Sequence, residues 1–579
     1  MQLSEILSQK TNDQLGQLAK LVDGCGRATR KDDLVRCLQS ALTKPDSLKK
    51  LWQRLDDLSR KAIASAYHNE GQFNASAFMA QYGQLPARPQ SRWFWQPQLI
   101  LLDLFIYDNQ LPSDLLPLLA DLVPPPDRFQ LQGLKDAPKT LLNPYNETIP
   151  LIRADTEEAG QHDLLAYLHL IDQGVIKGSY TTDKLSAANL KKVAEILLKG
   201  EFFEVPEKAK PADFIRAFGL DMFARQAGWV RGSALTEAGR AYFQTQDPEL
   251  LLEAVETWSH DGDFDELSRI SALKGMRSAH THLTKPGERR EAIIEALSWC
   301  PVDVWIDIQD FYRAVKIWHF DFDVETSYYS NLYIGYKDYG GLYGETYWKV
   351  VKGLYINAVI WEYLGSIGAI DLLYTYPIHA GADFVNSDLY FDDDYLSLYD
   401  GLRYFRINKL GAYLLGQAGE YVSSKPRQRP LFSISAGREV TIIEPDELTP
   451  FNQSQLDLLA EPLQKGRYRL ETQKLLSYIE SGGDWEQVLD FLHSRHHGPL
   501  PVEIELWLDQ LRRNSQVFQK GSAALFIKVD SPELLEMALA DPVLGKFCKQ
   551  IGPKNLVIPA SKQKALRERL KMLEYLLAE

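Results

Sequence analysis

The sequence predicts a mainly α-helical chain with small β-sheets, an α+β class. Three observations carry this. Apolar residues recur at helical spacing through most of the chain, extended apolar runs are short and bounded by glycine or proline, and 45% hydrophobic with 25% charged residues is ordinary globular composition. At 579 residues the chain exceeds what one core can hold, so about three to five domains are expected.

The first region, 1–125, reads as a helical domain. Leu15, Leu18 and Val22 form one stripe, and Leu34, Val35, Leu38 and Leu42 form a second, with Gly24 and Gly26 in the loop between. Thr29 with Asp32 is placed to cap the second helix, and Arg27, Arg30 and Lys31 cluster at its start. This helix–loop–helix resembles a SAP motif, a small DNA-binding hairpin, which implies DNA contact by those three cations. The residues alone favour a helical hairpin with a solvated basic turn, because charge clusters usually mark solvated faces. Helix is expected from "WFWQPQLILLDLF" to "LVPPPDRF", punctuated by Pro97, Pro112, Pro117 and Pro124 to Pro126, so a domain edge belongs near 125–150.

Region 150–250 orders its elements as a winged helix. Leu164, Leu165, Leu168 and Ile171 mark a helix stopping at Gly174, "VIKGSY" follows as a strand, and Ser186 caps "SAANLKKVAEILLKG". "PADFIRAFGLDMFARQAG" supplies a third helix ending at Gly228, with an extended segment from Trp229. Lys177, Lys184, Lys191, Lys192, Lys199, Arg231 and Arg240 form a basic complement able to neutralise phosphates; Lys184, Lys191, Lys192, Arg231 and Arg240 join Arg27, Arg30 and Lys31 as candidate DNA contacts.

A helical connector is expected over 251–304 and a second, aromatic-rich winged helix over 305–422. A small pattern links the two: Leu235, Thr236, Gly239, Tyr242 and Phe243 align with Ile407, Asn408, Gly411, Leu414 and Leu415. Thr236 and Asn408 are good N-caps. A glycine kept in the helix that follows implies another backbone close by, and we expect the wing strand to cross there in both copies. The aromatics of 305–363 alternate with Asp303, Asp307, Asp310, Asp321, Asp323 and Glu325, which repel phosphate, so they read as core or protein-binding face. Asp392 to Asp394 make the second wing acidic, suited to protein or solvent.

After a linker, "SSKPRQRP", the pattern changes. "REVTIIEP" reads as a strand, "SQLDLLAEPL" as a helix, "RYRLE" as a strand and "TQKLLSYIES" as a helix; Asp484 with Gln487 suggests a capping box. Helices after Pro501, Pro532 and Pro542, the strands "ALFIKVD" and "KNLVIPA", and a basic last helix complete a mixed α+β domain. This order, with "SGGDWEQVLDFLHSRHHGPLP" at its centre, resembles the helicase-associated domain of XPB-type helicases over about residues 430–579. The preceding region is similar to bacterial proteins that carry this domain without a motor. The resemblance implies DNA contact, partner binding and regulation of a separate ATPase, and carries over no catalytic residue.

The bulk chemistry excludes several classes. The net charge, 64 − 78 = −14, repels a polyanion unless the cations are segregated. Cys25, Cys37, Cys300 and Cys548 lack any CxxC pair, so neither a disulfide framework nor a zinc finger is expected and a reducing compartment is. "MQLSEILSQK" has no signal-peptide character, and "LILLDLFIY" is interrupted by Asp103, so a soluble cytoplasmic protein with no membrane partner is expected. Gly545-Lys546 lacks a phosphate loop. His319, Asp321 and Asp323 would share one face of a strand, the basis of a metal-dependent nuclease alternative. The reading favoured over that one is a non-enzymatic DNA-associated adaptor, without cofactor or metal, positioning a separate helicase or nuclease. A protein-only scaffold is the other alternative.

Overall fold

The computed structural model describes residues 1–89, 98–142, 146–179, 183–278, 280–327, 330–335, 341–380, 395–422, 430–448, 450–481, 483–517 and 523–578. Residues 423–429 of the expected linker 423–430 and the acidic wing residues Asp392 to Asp394 lie outside them. About 49% of the chain is helix and 13% strand, the strand divided among small separate sheets, as expected for a mainly α chain of α+β class. The chain forms two compact units: residues 1–427 with 449–451, and the remainder of 428–579.

Within the first unit, residues 3–119 have their own core, built on Leu7, Leu15, Leu38, Leu42, Ile63 and Phe105. The first two stripes become the Asn12–Lys20 and Lys31–Thr43 helices. Thr29 is not the cap of the second; Arg30 precedes it and makes no side-chain cap bond. Cys25 and Cys37 are joined in a disulfide, their Cα atoms 5.7 Å apart. This corrects the expectation of free thiols. The hairpin folds the loop back on the second helix, a proximity that a separation of 12 residues does not announce. Between residues 98 and 125 helix is scarcer than expected: among the described residues only a 3-10 turn, Leu101–Leu104, and the short Leu116–Leu119 helix form there.

A single larger core spans Leu131 to Leu415. Its helices Glu157–Asp172, Ala187–Ile196 and Arg216–Gln226 follow the expected order, but among the described residues the 175–179 segment finds no strand partner. A two-stranded hairpin, Val230–Arg231 with Ala234–Leu235, comes next, and then the Glu237–Thr245 helix. In the second copy, a helical run over 344–365 containing two π-helical stretches leads into a four-stranded antiparallel sheet. Its order is Ile152–Ala154, Ile370–Tyr374, Leu402–Ile407 and Ile306–Asp307.

The repeated pattern has the same job in both places. Each preceding helix ends in a left-handed glycine, Gly228 at φ 73° and Gly368 at φ 90°. Thr236 Oγ1 accepts from Gly239 N at 3.2 Å and Asn408 Oδ1 from Gly411 N at 3.0 Å. A Cβ on Gly239 would lie 2.2 Å from the Trp229 carbonyl oxygen, and one on Gly411 would lie 2.1 Å from that of Ala369. The strand entering each hairpin does cross at the glycine.

The second unit holds two cores. Residues 431–511 pack helices on a sheet ordered Phe432–Ile434, Glu439–Ile442, Arg467–Leu470, Ala460–Gln464. The expected "SQLDLLAEPL" helix stops at Leu459, and Ala460–Gln464 is a strand. Its Pro462 is tolerated because this strand is an edge. Asp484 caps its helix through Glu486 N, while Gln487 Oε1 accepts from Tyr478, so no capping box forms. Residues 535–566 make the smaller core, beside a sheet ordered Ala524–Lys528, Asn555–Pro559, Lys549–Gln550.

Candidate nucleic-acid interface

The structure gathers one set of cations around Asp183. Its Oδ1 accepts from Gly232 N at 2.9 Å and from Arg225 Nη1 at 2.6 Å, and Arg225 Nη1 also donates to the Gly232 carbonyl at 3.1 Å. The hairpin turn is thereby tied to the segment that precedes the Ala187–Ile196 helix. A Cβ on Gly178 would stand 2.7 Å from the Gly232 carbonyl oxygen. Lys177, Lys184 and Arg231 each adjoin in sequence one of the residues brought close here, Gly178, Asp183 and Gly232.

The Ala187–Ile196 helix adds to this face. Ser186 caps it through Asn189 N at 3.3 Å, and Leu190 and Val193 bury one side. Asn189 Nδ2 donates to the Lys177 carbonyl at 2.9 Å, and Lys192 Nζ to that of Val175 at 3.2 Å. Lys177, Lys184, Lys191, Lys192 and Arg231 are all exposed. Among the described residues none of the five forms an ion pair, whereas Arg240 pairs with Asp172 at 3.1 Å.

Below the face lies a buried support that the sequence does not foretell. Tyr167 donates to Asp221 at 2.7 Å, and Arg225 Nε bonds the same carboxylate at 2.7 Å. Burial pushes the Asp221 carboxyl above its usual range, opposed by Arg225 and the Tyr167 hydroxyl. The four-residue spacing of Asp221 and Arg225 is the one signal of it in the sequence.

Apart from Arg225, the third helix of this module takes no part in the face. Arg216 through Ala224 are buried, and a Cβ on Gly219 would fall 1.9 Å from the Glu362 carbonyl oxygen. A helix enclosed in this way cannot enter a DNA groove.

The other candidates lie apart from these bonded segments in the chain. Arg27, Arg30 and Lys31 are exposed on the disulfide-closed hairpin, beside Asp32 and Asp33. The 319–323 cluster is not assembled: Asp321 holds Lys352 Nζ at 2.9 Å and Trp348 Nε1 at 3.0 Å, while the Asp323 carbonyl accepts from Thr284. Among the described residues no three His, Cys, Asp or Glu side chains converge to hold a metal. Of the aromatics of 305–363, expected as core or protein-binding face, Trp305, Tyr355, Trp361 and Tyr363 are core, at most 1% exposed.

No protein-family model matches this sequence, and neither does any curated protein. Among the described residues no helix is long and apolar enough to cross a membrane.

Proposed function

We propose that the protein is a non-enzymatic, cytoplasmic, DNA-associated adaptor that contacts the phosphate backbone and positions a separately encoded helicase or nuclease. The observation that supports this reading is the set of five exposed cations, free of ion pairs among the described residues, on Lys177, Lys184, the Ala187–Ile196 helix and the hairpin. Segregated cations give a chain of net charge −14 a local surface that attracts a polyanion. Because the third helix is buried, the contact is with backbone and shape rather than base edges. The XPB-like resemblance of 430–579 supplies the partner side of the proposal.

Binding to duplex and forked DNA as a function of salt tests it. A backbone binder loses affinity linearly on logarithmic axes, with a slope of about −0.9 per phosphate contacted on B-DNA. No measurable binding at any salt would leave the scaffold reading, which the net charge favours.

A further inference from the structure

A cavity of about 560 Å³ in the first unit belongs to none of the features above. It lies among the Asp57–His68 and Ala75–Tyr82 helices, the proline segment 124–126 and the end of the Ile308–Ile317 helix. Its size is that of a small-molecule site. Tyr82, Phe129 and Trp318 supply aromatic walls, with Trp318 set edge-on against Phe129 at 6.1 Å between ring centroids.

The charged side chains of the lining balance in number, Arg60 and Lys61 against Asp57 and Asp127. Lys61 Nζ lies 3.3 Å from Asp57 and 5.0 Å from the Tyr82 ring centroid. Tyr82 donates its hydroxyl to Asp127 at 2.8 Å, and Arg60 gives Nε and Nη2 to the Leu55 carbonyl. Two cations thus face two carboxylates, so the walls suit a neutral guest. The His68 Nε2 atom lies 2.8 Å from the Pro124 carbonyl, which only accepts, so Nε2 carries the proton.

His319 lines the same cavity and is exposed at its rim. It follows the Ile308–Ile317 helix with φ 64°, and the chain closes there through His319 N to Lys316 O at 3.3 Å and Phe320 N to Val315 O at 3.0 Å. This is the left-handed position at which helices prefer glycine. Among the described residues its ring makes no hydrogen bond, and burial lowers its pKa, so at neutral pH it offers one donor and one acceptor nitrogen. An exposed imidazole at the cavity rim, its two nitrogens unbonded among the described residues, is open to the polar edge of a guest.

We propose that this cavity binds a nucleobase, stacked on the aromatic walls and hydrogen-bonded at its edge by His319. Every base offers a π-face to stack and a polar edge with donors and acceptors, and a neutral ring matches the balanced lining. The base comes either from an unpaired DNA strand or from a free nucleoside; only the first source rests on the DNA reading above.

The test titrates the full-length protein into a single-stranded oligonucleotide carrying one 2-aminopurine, and separately into adenosine followed by calorimetry. Stacking is expected to quench the 2-aminopurine. W318A should weaken binding about tenfold, as loss of one stacking partner does. H319G should weaken it too, yet unfold at an equal or higher temperature, since glycine suits that φ. A role for His319 in folding alone predicts no change in binding. A response to adenosine without one to the oligonucleotide supports the cavity and assigns it a free nucleoside. The proposal is overturned if neither ligand responds, or if H319G, folded and at least as stable, binds like the parent chain. Loss of duplex binding in K191E/K192E with the 2-aminopurine response intact would concern the basic face alone.

Discussion

At the residue scale, the informative positions are those where one atom decides the backbone. Gly239→Ala and Gly411→Ala each place a Cβ about 2 Å from a carbonyl oxygen, so each should destabilise the protein by about 1–3 kcal/mol, read from urea midpoints. Gly16→Ala is the control: it sits inside the Asn12–Lys20 helix with nothing within 4 Å of the new Cβ, and should stabilise by about 0.5–1 kcal/mol. His169 gives a pH signature. Burial lowers its pKa from 6.5 to about 4, so the unfolded chain binds the extra proton first. Stability is therefore full above pH 6.5 and falls as pH drops through 4, by up to about 3 kcal/mol. His169→Gln should flatten that part of the stability profile between pH 7.5 and 4.5.

At the scale of elements, two short pieces carry the exposed positive charge. The Ala187–Ile196 helix uses one side for the core and leaves Lys191 and Lys192 exposed. Replacing both by glutamate should weaken DNA binding at low salt and reduce the salt slope by about two, one for each phosphate no longer neutralised; an unchanged slope would place the contact elsewhere. The hairpin carrying Arg27, Arg30 and Lys31 is closed by Cys25–Cys37 over a separation of 12 residues. By the loop-closure argument, reduction or Cys37→Ser should cost about 3 kcal/mol, seen as a lower melting temperature with dithiothreitol that the serine variant no longer shows.

At the scale of the whole molecule, the larger core is threaded by buried ion pairs joining distant segments. Arg290 meets Glu266 at 2.6 Å with both side chains fully buried, and Tyr355 donates to the same carboxylate at 2.7 Å. Arg269 pairs with Glu362, whose carboxyl burial pushes up to about 7. Such pairs gain little over apolar packing, but breaking one strands a charge. Glu266→Gln should cost about 3 kcal/mol or more by chemical denaturation, and loss of Arg290 together with Glu266 should cost less than the two single changes summed.

Much of the architecture was legible because it is written in local chemistry. Periodicity gave the helices, Ser186, Thr236 and Asn408 announced their caps, and the paired glycines announced a backbone crossing, since each signal acts within a few residues. The candidate face was legible only as a scatter of cations. What tertiary structure decided was which surfaces survive: it buried the third helix under 359–365, engaged Arg240 with Asp172, dispersed the 319–323 cluster and joined Cys25 to Cys37. Exposure and convergence depend on contacts between segments as far apart as Gly219 and Glu362, and no local pattern in a chain encodes what will lie against it.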